Sequence, residues 1–171
     1  MGSATRRKRL SERIAAANGP LTGAELSAEL GVSRQVVVQD VALLRATGVN
    51  IVATPAGYIL INPSDYQRPA RVFTCRHNTL ENARIELLIM VECGGKVRDV
   101  IIEHPIYGDL TGQLMLSTRE AVETLITRLG QAGAAPLSTI TEGFHMHTVE
   151  ADTKDQLDQM ETRLRQAGII V

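Results

Sequence analysis

Two helix starts, Thr22 and Ser33, stand on either side of Gly31, and this spacing constrains the N-terminal part of the chain more than any other feature. Thr22-Gly23-Ala24-Glu25 reads as a capping box, in which the Thr22 hydroxyl takes the amide of Glu25 and the Glu25 carboxylate returns to Thr22. It opens a short helix through Leu30. Gly31 turns the chain, and Ser33 caps a second helix from Arg34 to about Thr47. Ala24, Leu26, Leu30, Val32, Val37, Val41 and Leu44 then form one apolar seam across both helices. Upstream, Arg6 to Ala17 reads as a helix ended by Asn18-Gly19-Pro20. Downstream, Asn50 to Thr54 and Tyr58 to Ile61 form a hairpin about Pro55-Ala56-Gly57.

Three helices and a hairpin in this order outline a winged helix-turn-helix over residues 1–66, with Asn62 to Pro69 as a linker. The remainder, 70–171, alternates strands with helices. Strands are expected at Arg71–Cys75, Lys96–Glu103, Leu110–Leu116, Leu137–Thr141, Phe144–Glu150 and Ile169–Val171. Helices are expected at Thr79–Cys93, at Thr118–Leu129 (capped by Ser117) and at Lys154–Gln166. The first of these helices carries Leu80, Ala83, Leu87, Leu88 and Val91 on one face. The fold class is α+β: a winged helix-turn-helix followed by an α/β sandwich with a mostly antiparallel sheet.

Composition narrows the function. Aromatic residues make up 3% of the 171 residues and Trp is absent, so stacking platforms for single-stranded nucleic acid have almost no material. No apolar run approaches a membrane span and no charged-then-apolar leader opens the chain. Two Cys, Cys75 and Cys93, fit a reducing compartment, so a cytoplasmic protein is expected. Residues 1–68 hold eight Lys/Arg against five Asp/Glu, and residues 69–171 hold ten against fourteen, so the first part is the one suited to an anionic polymer. With Val37, Val41 and Leu44 inward, Arg34, Gln35, Val38 and Gln39, just after Ser33, lie toward the outer face of their helix. There, Arg can pair with guanine, Gln with adenine, and Val38 can meet a thymine methyl. Arg6-Arg7-Lys8-Arg9 would serve phosphates, whereas the hairpin tip carries no Lys or Arg. The bland alternative is a polar helix face that is merely solvated.

All four histidines, His77, His104, His145 and His147, fall in the second part. His145-Met146-His147 on a strand places two imidazoles on one face, close enough to chelate one ion. If that strand packs beside Arg71–Cys75, His77 and Glu86 can join them. A lone His-x-His is also commonly a pair of surface or hydrogen-bonded imidazoles. Glu81 competes with Glu86, because the helix register after His77 is not set by spacing. His104, before Pro105, reads equally as a loop histidine, a group behind the ligands or a pocket donor. Cys75 reads as a thiolate ligand or as a buried structural thiol.

The segment from Gly31 to Arg45, with Ile51 to Tyr58, resembles the winged helix of the niacin-responsive repressors. Cys75-Arg76-His77, Glu86-Leu87, Gly94-Gly95, Asp99-Val100, Glu103-His104-Pro105-Ile106-Tyr107-Gly108 and Gly143-Phe144-His145-Met146-His147-Thr148 resemble the 3H domain that follows it in that family. The resemblance implies one divalent transition metal (nickel, zinc or iron) on His77, Glu86, His145 and His147. It also implies nicotinic acid as co-repressor and genes of NAD salvage or niacin uptake as targets. His104, Arg76 and Tyr107 are the candidates for contacts to the nicotinic acid. A homodimer on palindromic double-stranded operator DNA is expected, with no membrane partner. The main rival is a repressor for which the metal alone is the signal. An enzyme is not expected, because no helical His-Glu-x-x-His, Gly-x-Ser-x-Gly or phosphate-cradling loop is present.

Overall fold

The computed structural model describes residues 2–171, and the chain divides after Gln67 into two compact units. The first holds α1 (Ser3–Ala15), α2 (Gly23–Leu30), α3 (Arg34–Ala46) and the antiparallel hairpin β1 (Ile51–Thr54) and β2 (Gly57–Leu60). Both halves of the Thr22–Glu25 capping box are made, and Ser33 caps α3 through the amide of Val36 at 3.3 Å. Leu10, Ile14, Leu26, Leu30, Val37, Val41 and Ile51 form the core. Ala24, expected in the seam, is exposed and Gly23 is buried instead. Leu26 and Leu30 set the helix phase, and three residues back from Leu26 is Gly23 rather than Ala24.

Leu21 adds a short third segment to the hairpin, exchanging backbone hydrogen bonds with Tyr58 at 3.0 and 2.7 Å. This close approach needs Gly57, which has φ +136° and where a Cβ would lie 2.5 Å from the Leu21 carbonyl oxygen.

The second unit, Arg68–Val171, is built on a four-stranded antiparallel sheet in the order β3-β6-β4-β5. Its strands are β3 (Ala70–Arg76), β4 (Lys96–His104), β5 (Gly108–Leu116) and β6 (Phe144–Glu150). Three helices, α4 (Leu80–Glu92), α5 (Arg119–Ala132) and α6 (Lys154–Gln166), share one core with the strands. Leu87, Met90, Val122, Met160 and Leu164 meet Phe73, Val97, Leu116 and Val149 there. Helix α4 packs against both α5 and α6, so it is buried on more than the one apolar face expected of it.

Three expectations fail locally. Leu137–Thr141 is a 3-10 turn, not a strand paired with β6, because β6 already has β3 on one side and β4 on the other. Thr118, not Ser117, caps α5, its side chain accepting from the Ala121 amide. Ile169–Val171 contributes only a single bridge, between Ile170 and Cys75. Among the described residues, no helix is long and apolar enough to cross a membrane.

Candidate functional site

The second unit brings together four side chains that lie far apart in sequence. Pairing of β3 with β6 sets Cys75 opposite His145 and Phe73 opposite His147. Alternation along β6 turns His145, His147 and Val149 into the buried face. His77 follows the end of β3, where its backbone amide donates to the Gly143 carbonyl at 3.2 Å. Thr79 caps α4 and so sets the helix register that spacing left open. Glu86 faces inward with Ala83, Leu87 and Met90, whereas Glu81 lies in the exposed first turn, 3.7 Å from Arg84.

Glu86 is the centre of the cluster and is 1% exposed. Its carboxylate meets His77 Nε2 at close range, His145 Nε2 at 3.1 and 3.2 Å, and His147 Nε2 at 3.6 Å. The far nitrogens of the two strand imidazoles are also engaged. His145 Nδ1 donates to the Gly143 carbonyl at 2.8 Å, and His147 Nδ1 donates to the Asp99 carbonyl at 2.6 Å. In the neutral imidazole a proton on Nδ1 leaves a lone pair on Nε2. These two lone pairs therefore face the carboxylate oxygens of Glu86, acceptor against acceptor. Such an arrangement is favourable only with a cation between them, either a proton or a metal ion.

The protonation states follow. Burial pushes the Glu86 carboxyl up, yet the charge of His147 and the hydrogen bonds of the three imidazoles outweigh it and hold the group well below the usual carboxylate range. Burial pushes His147 down, but Glu86 and the Asp99 carbonyl more than offset this and leave its pKa raised. The Cys75 thiol is pushed strongly up, first by burial and then by Glu86, so it is a thiol beside the carboxylate. Its Sγ lies within 4.8 Å of ligand atoms of both Glu86 and His145.

Three imidazole nitrogens and one carboxylate, directed inward and with two of the imidazoles backed by backbone carbonyls, form a donor set that suits a divalent transition metal. The residues behind the ligands, Asp99 and Gly143, were not singled out from sequence for this role. Their signals were a polar residue inside a strand and a glycine directly before His-x-His.

The other named candidates lie outside this cluster. His104 sits at the end of β4, where its Nδ1 accepts from the Ile106 and Tyr107 amides at 3.1 and 3.2 Å and so closes the β4–β5 turn. Tyr107 is exposed beside it, with ring centroids 4.9 Å apart. The Arg76 guanidinium lies over the Phe144 ring at 4.5 Å.

In the first unit, the N-cap Ser33 and, on α3, Arg34, Gln35, Val38 and Gln39 are all exposed. The Arg34 side chain lies over Gly23, where a Cβ would approach its Nε to 3.2 Å. Arg6, expected to serve phosphates, is instead paired with the buried Asp40 on the inner side of α3, at 2.6 and 3.2 Å. Arg7 reaches the same carboxylate at 3.8 Å. These pairs join α1 to α3, and the only prior sign of them was an acidic residue in an otherwise apolar seam.

Known families match the sequence of both units. A family model described as the 3H domain matches residues 70–171, and one described as an HTH domain matches residues 6–59. The chain is 40% identical to the transcription repressor NadR of Bacillus subtilis (strain 168) over 170 residues, 98% of this chain and 94% of that one. The chain belongs to the 3H-domain transcription repressors. A second relative, the probable transcription repressor NiaR of Thermotoga maritima, is 40% identical over 152 residues, 89% of this chain and 85% of its own length. As a member of this repressor family with a DNA-binding head, the protein is not an enzyme.

Proposed function

We propose that this 3H repressor binds one divalent transition metal through His77, Glu86, His145 and His147 and uses the loaded domain to sense nicotinic acid, its co-repressor. The observation that carries this reading is the inward-facing acceptor set around Glu86, which calls for a cation at its centre. The ion would supply a Lewis-acidic position for the aromatic nitrogen of the vitamin. The family resemblance supports genes of NAD biosynthesis, salvage or niacin uptake as the targets, and a repressor of such genes would work in the cytoplasm. His104, Arg76 and Tyr107 are retained as candidate ligand contacts.

On DNA, Ser33, Arg34, Gln35, Val38 and Gln39 present the reading face, and a homodimer would place two such helices in successive major grooves of a palindrome. Replacing Arg34 by Ala removes one candidate bidentate base contact. Operator affinity should fall by about 1–3 kcal/mol, while metal and nicotinic acid binding stay at wild-type levels. Filter or gel-shift titration of DNA, beside calorimetry of the two ligands, checks both halves of that statement. Joint loss of both would show that the two units do not divide the work.

The burial of the cluster favours one alternative, in which the ion itself is the signal: His77 is 8% exposed, and His145 and His147 are each 4%. Titrating operator binding with metal alone, then with nicotinic acid added, separates the two readings. The proposed centre also predicts a pH dependence. Metal must displace the proton that the raised pKa keeps on His147, so affinity should weaken as pH falls below that value, by about tenfold per unit for one proton released. Calorimetry across the neutral range reads this slope. A flat profile would remove His147 from the ligand set. Chelation should lower the unfolding temperature of the loaded protein, because an ion that binds only the folded chain stabilises it.

A further inference from the structure

Between the metal-ligand candidates of β6 and the neighbouring strand β4, the ladder is interrupted. Val97 pairs with Val149 and Ile101 with Met146, so β4 advances four residues while β6 advances three. One extra residue is thus inserted in β4, a β-bulge. On its other edge, Val97 pairs with Leu116 and Asp99 with Gln113, so there β5 advances three residues against two. The extra residue in β5 coincides with Met115, whose φ of 52° is rare for a side chain with a Cβ. The ladder to β6 is therefore interrupted over Arg98–Val100, while Asp99 and Val100 stay paired with Gln113 and Gly112 of β5.

The displaced stretch makes bonds that a regular ladder would not. The Asp99 carbonyl accepts from His147 Nδ1 at 2.6 Å instead of from a backbone amide. The amide left over, that of Thr148, donates to Asp99 Oδ1 at 2.9 Å. One residue thus supplies both acceptors, a main-chain oxygen for the imidazole and a side-chain oxygen for the amide directly after it. Arg98 pairs with the buried Glu150 and fastens β4 to β6 again beyond the gap.

We propose that Asp99 is a positioning residue of the metal centre. Its carboxylate ties down Thr148, and with the bulge this holds the Asp99 carbonyl on His147 Nδ1. The third imidazole is thereby locked as the Nδ1–H tautomer, with Nε2 directed at Glu86. This proposal rests on the metal-centre reading above, but the tautomer can be tested apart from it. A side chain without an acceptor at this position keeps a backbone carbonyl but not the tie to Thr148, so the imidazole gains a second orientation. Removing such an outer partner typically weakens metal binding by about 10–100-fold.

The test is made on the full-length chain. First, long-range proton–nitrogen NMR of the metal-free protein at alkaline pH, where His147 is neutral, should show its proton on Nδ1. A proton on Nε2 would overturn the proposal whatever any variant does. Second, Asp99→Ala should bind nickel or zinc about 10–100-fold more weakly by calorimetry and show mixed tautomers at His147. Asp99→Asn, which keeps the Oδ1 acceptor, should restore both readouts to near wild type. Wild-type affinity and a single tautomer in Asp99→Ala would overturn it. If Asp99→Ala does not fold, the Asn variant and the wild-type tautomer still decide. A wild-type chain that binds no metal would end the metal-centre reading, whereas His147 carrying its proton on Nε2 would end this one and leave that reading standing.

Discussion

Glu86→Gln is expected to abolish tight metal binding while leaving the chain folded. The amide is nearly the same size, so the packing of α4 against the sheet should survive. The charge that draws a cation between three imidazoles is gone. Loss of a direct ligand should exceed the 10–100-fold typical of an outer partner, so a weakening greater than about a hundredfold is expected by calorimetry. The metal-free variant should differ from wild type in a second way. In wild type the lowered Glu86 carboxyl contributes stability that is present above its unfolded pKa and lost as pH falls through its folded value. The raised His147 contributes stability that is present below its unfolded pKa and lost as pH rises through its folded value. Both terms act together between about pH 4.5 and 6.5, so metal-free wild type should weaken on either side of that window. Without the carboxylate, only the smaller contributions of Asp99 oppose the burial of His147, so the alkaline loss should shrink. Urea midpoints at mildly acid and mildly alkaline pH measure this. Equal metal affinity in Glu86→Gln would mean that the ion, if bound at all, sits elsewhere.

Gly143→Ala is expected to damage the same site from behind the ligands. Gly143 has φ +91°, and a Cβ there would lie 2.7 Å from the His77 carbonyl oxygen. Its own carbonyl accepts from both His145 Nδ1 and the His77 amide, and its amide donates to Ser138. A methyl group therefore strains the backbone and pushes apart two segments that carry ligands. Backbone strain of this kind costs about 1–3 kcal/mol. Metal affinity should fall with it, because His77 and His145 move relative to Glu86. Thermal unfolding with and without metal separates the two effects: the metal-free chain loses stability, and the loaded chain loses more. Wild-type metal affinity in a destabilised Gly143→Ala chain would show that the carbonyls behind the imidazoles do not set their position.

The resemblance to a winged helix and a 3H domain, which the family models match over residues 6–59 and 70–171, and the positions of most elements were legible in the chain itself. Local chemistry explains this. A capping hydroxyl, a left-handed glycine and a helical or alternating period each act over a few residues. Helix α6 and the Thr22–Glu25 box fell where these signals put them. Two failures had non-local causes. The stretch Leu137–Thr141 has the composition of a strand but finds no free sheet edge, since β6 is paired on both sides. Arg6 looks like a phosphate contact until α1 is laid across α3 and Asp40 claims it.

At the candidate site the division is the same. The residue types, three imidazoles and a nearby carboxylate, and the parity of His145 with His147 can be read along the chain. The choice of Glu86 over Glu81 came from the helix phase that Thr79 sets once α4 is docked on the sheet. The direction of the Nε2 lone pairs depended on which carbonyls the folded strands bring to Nδ1, that of Gly143 for His145 and that of a bulged Asp99 for His147. Sequence determines which groups are available and on which face of an element they lie. Only the packing of elements distant along the chain decides which of those groups meet, because hydrogen bonds and buried charges respond to distances that no local pattern encodes.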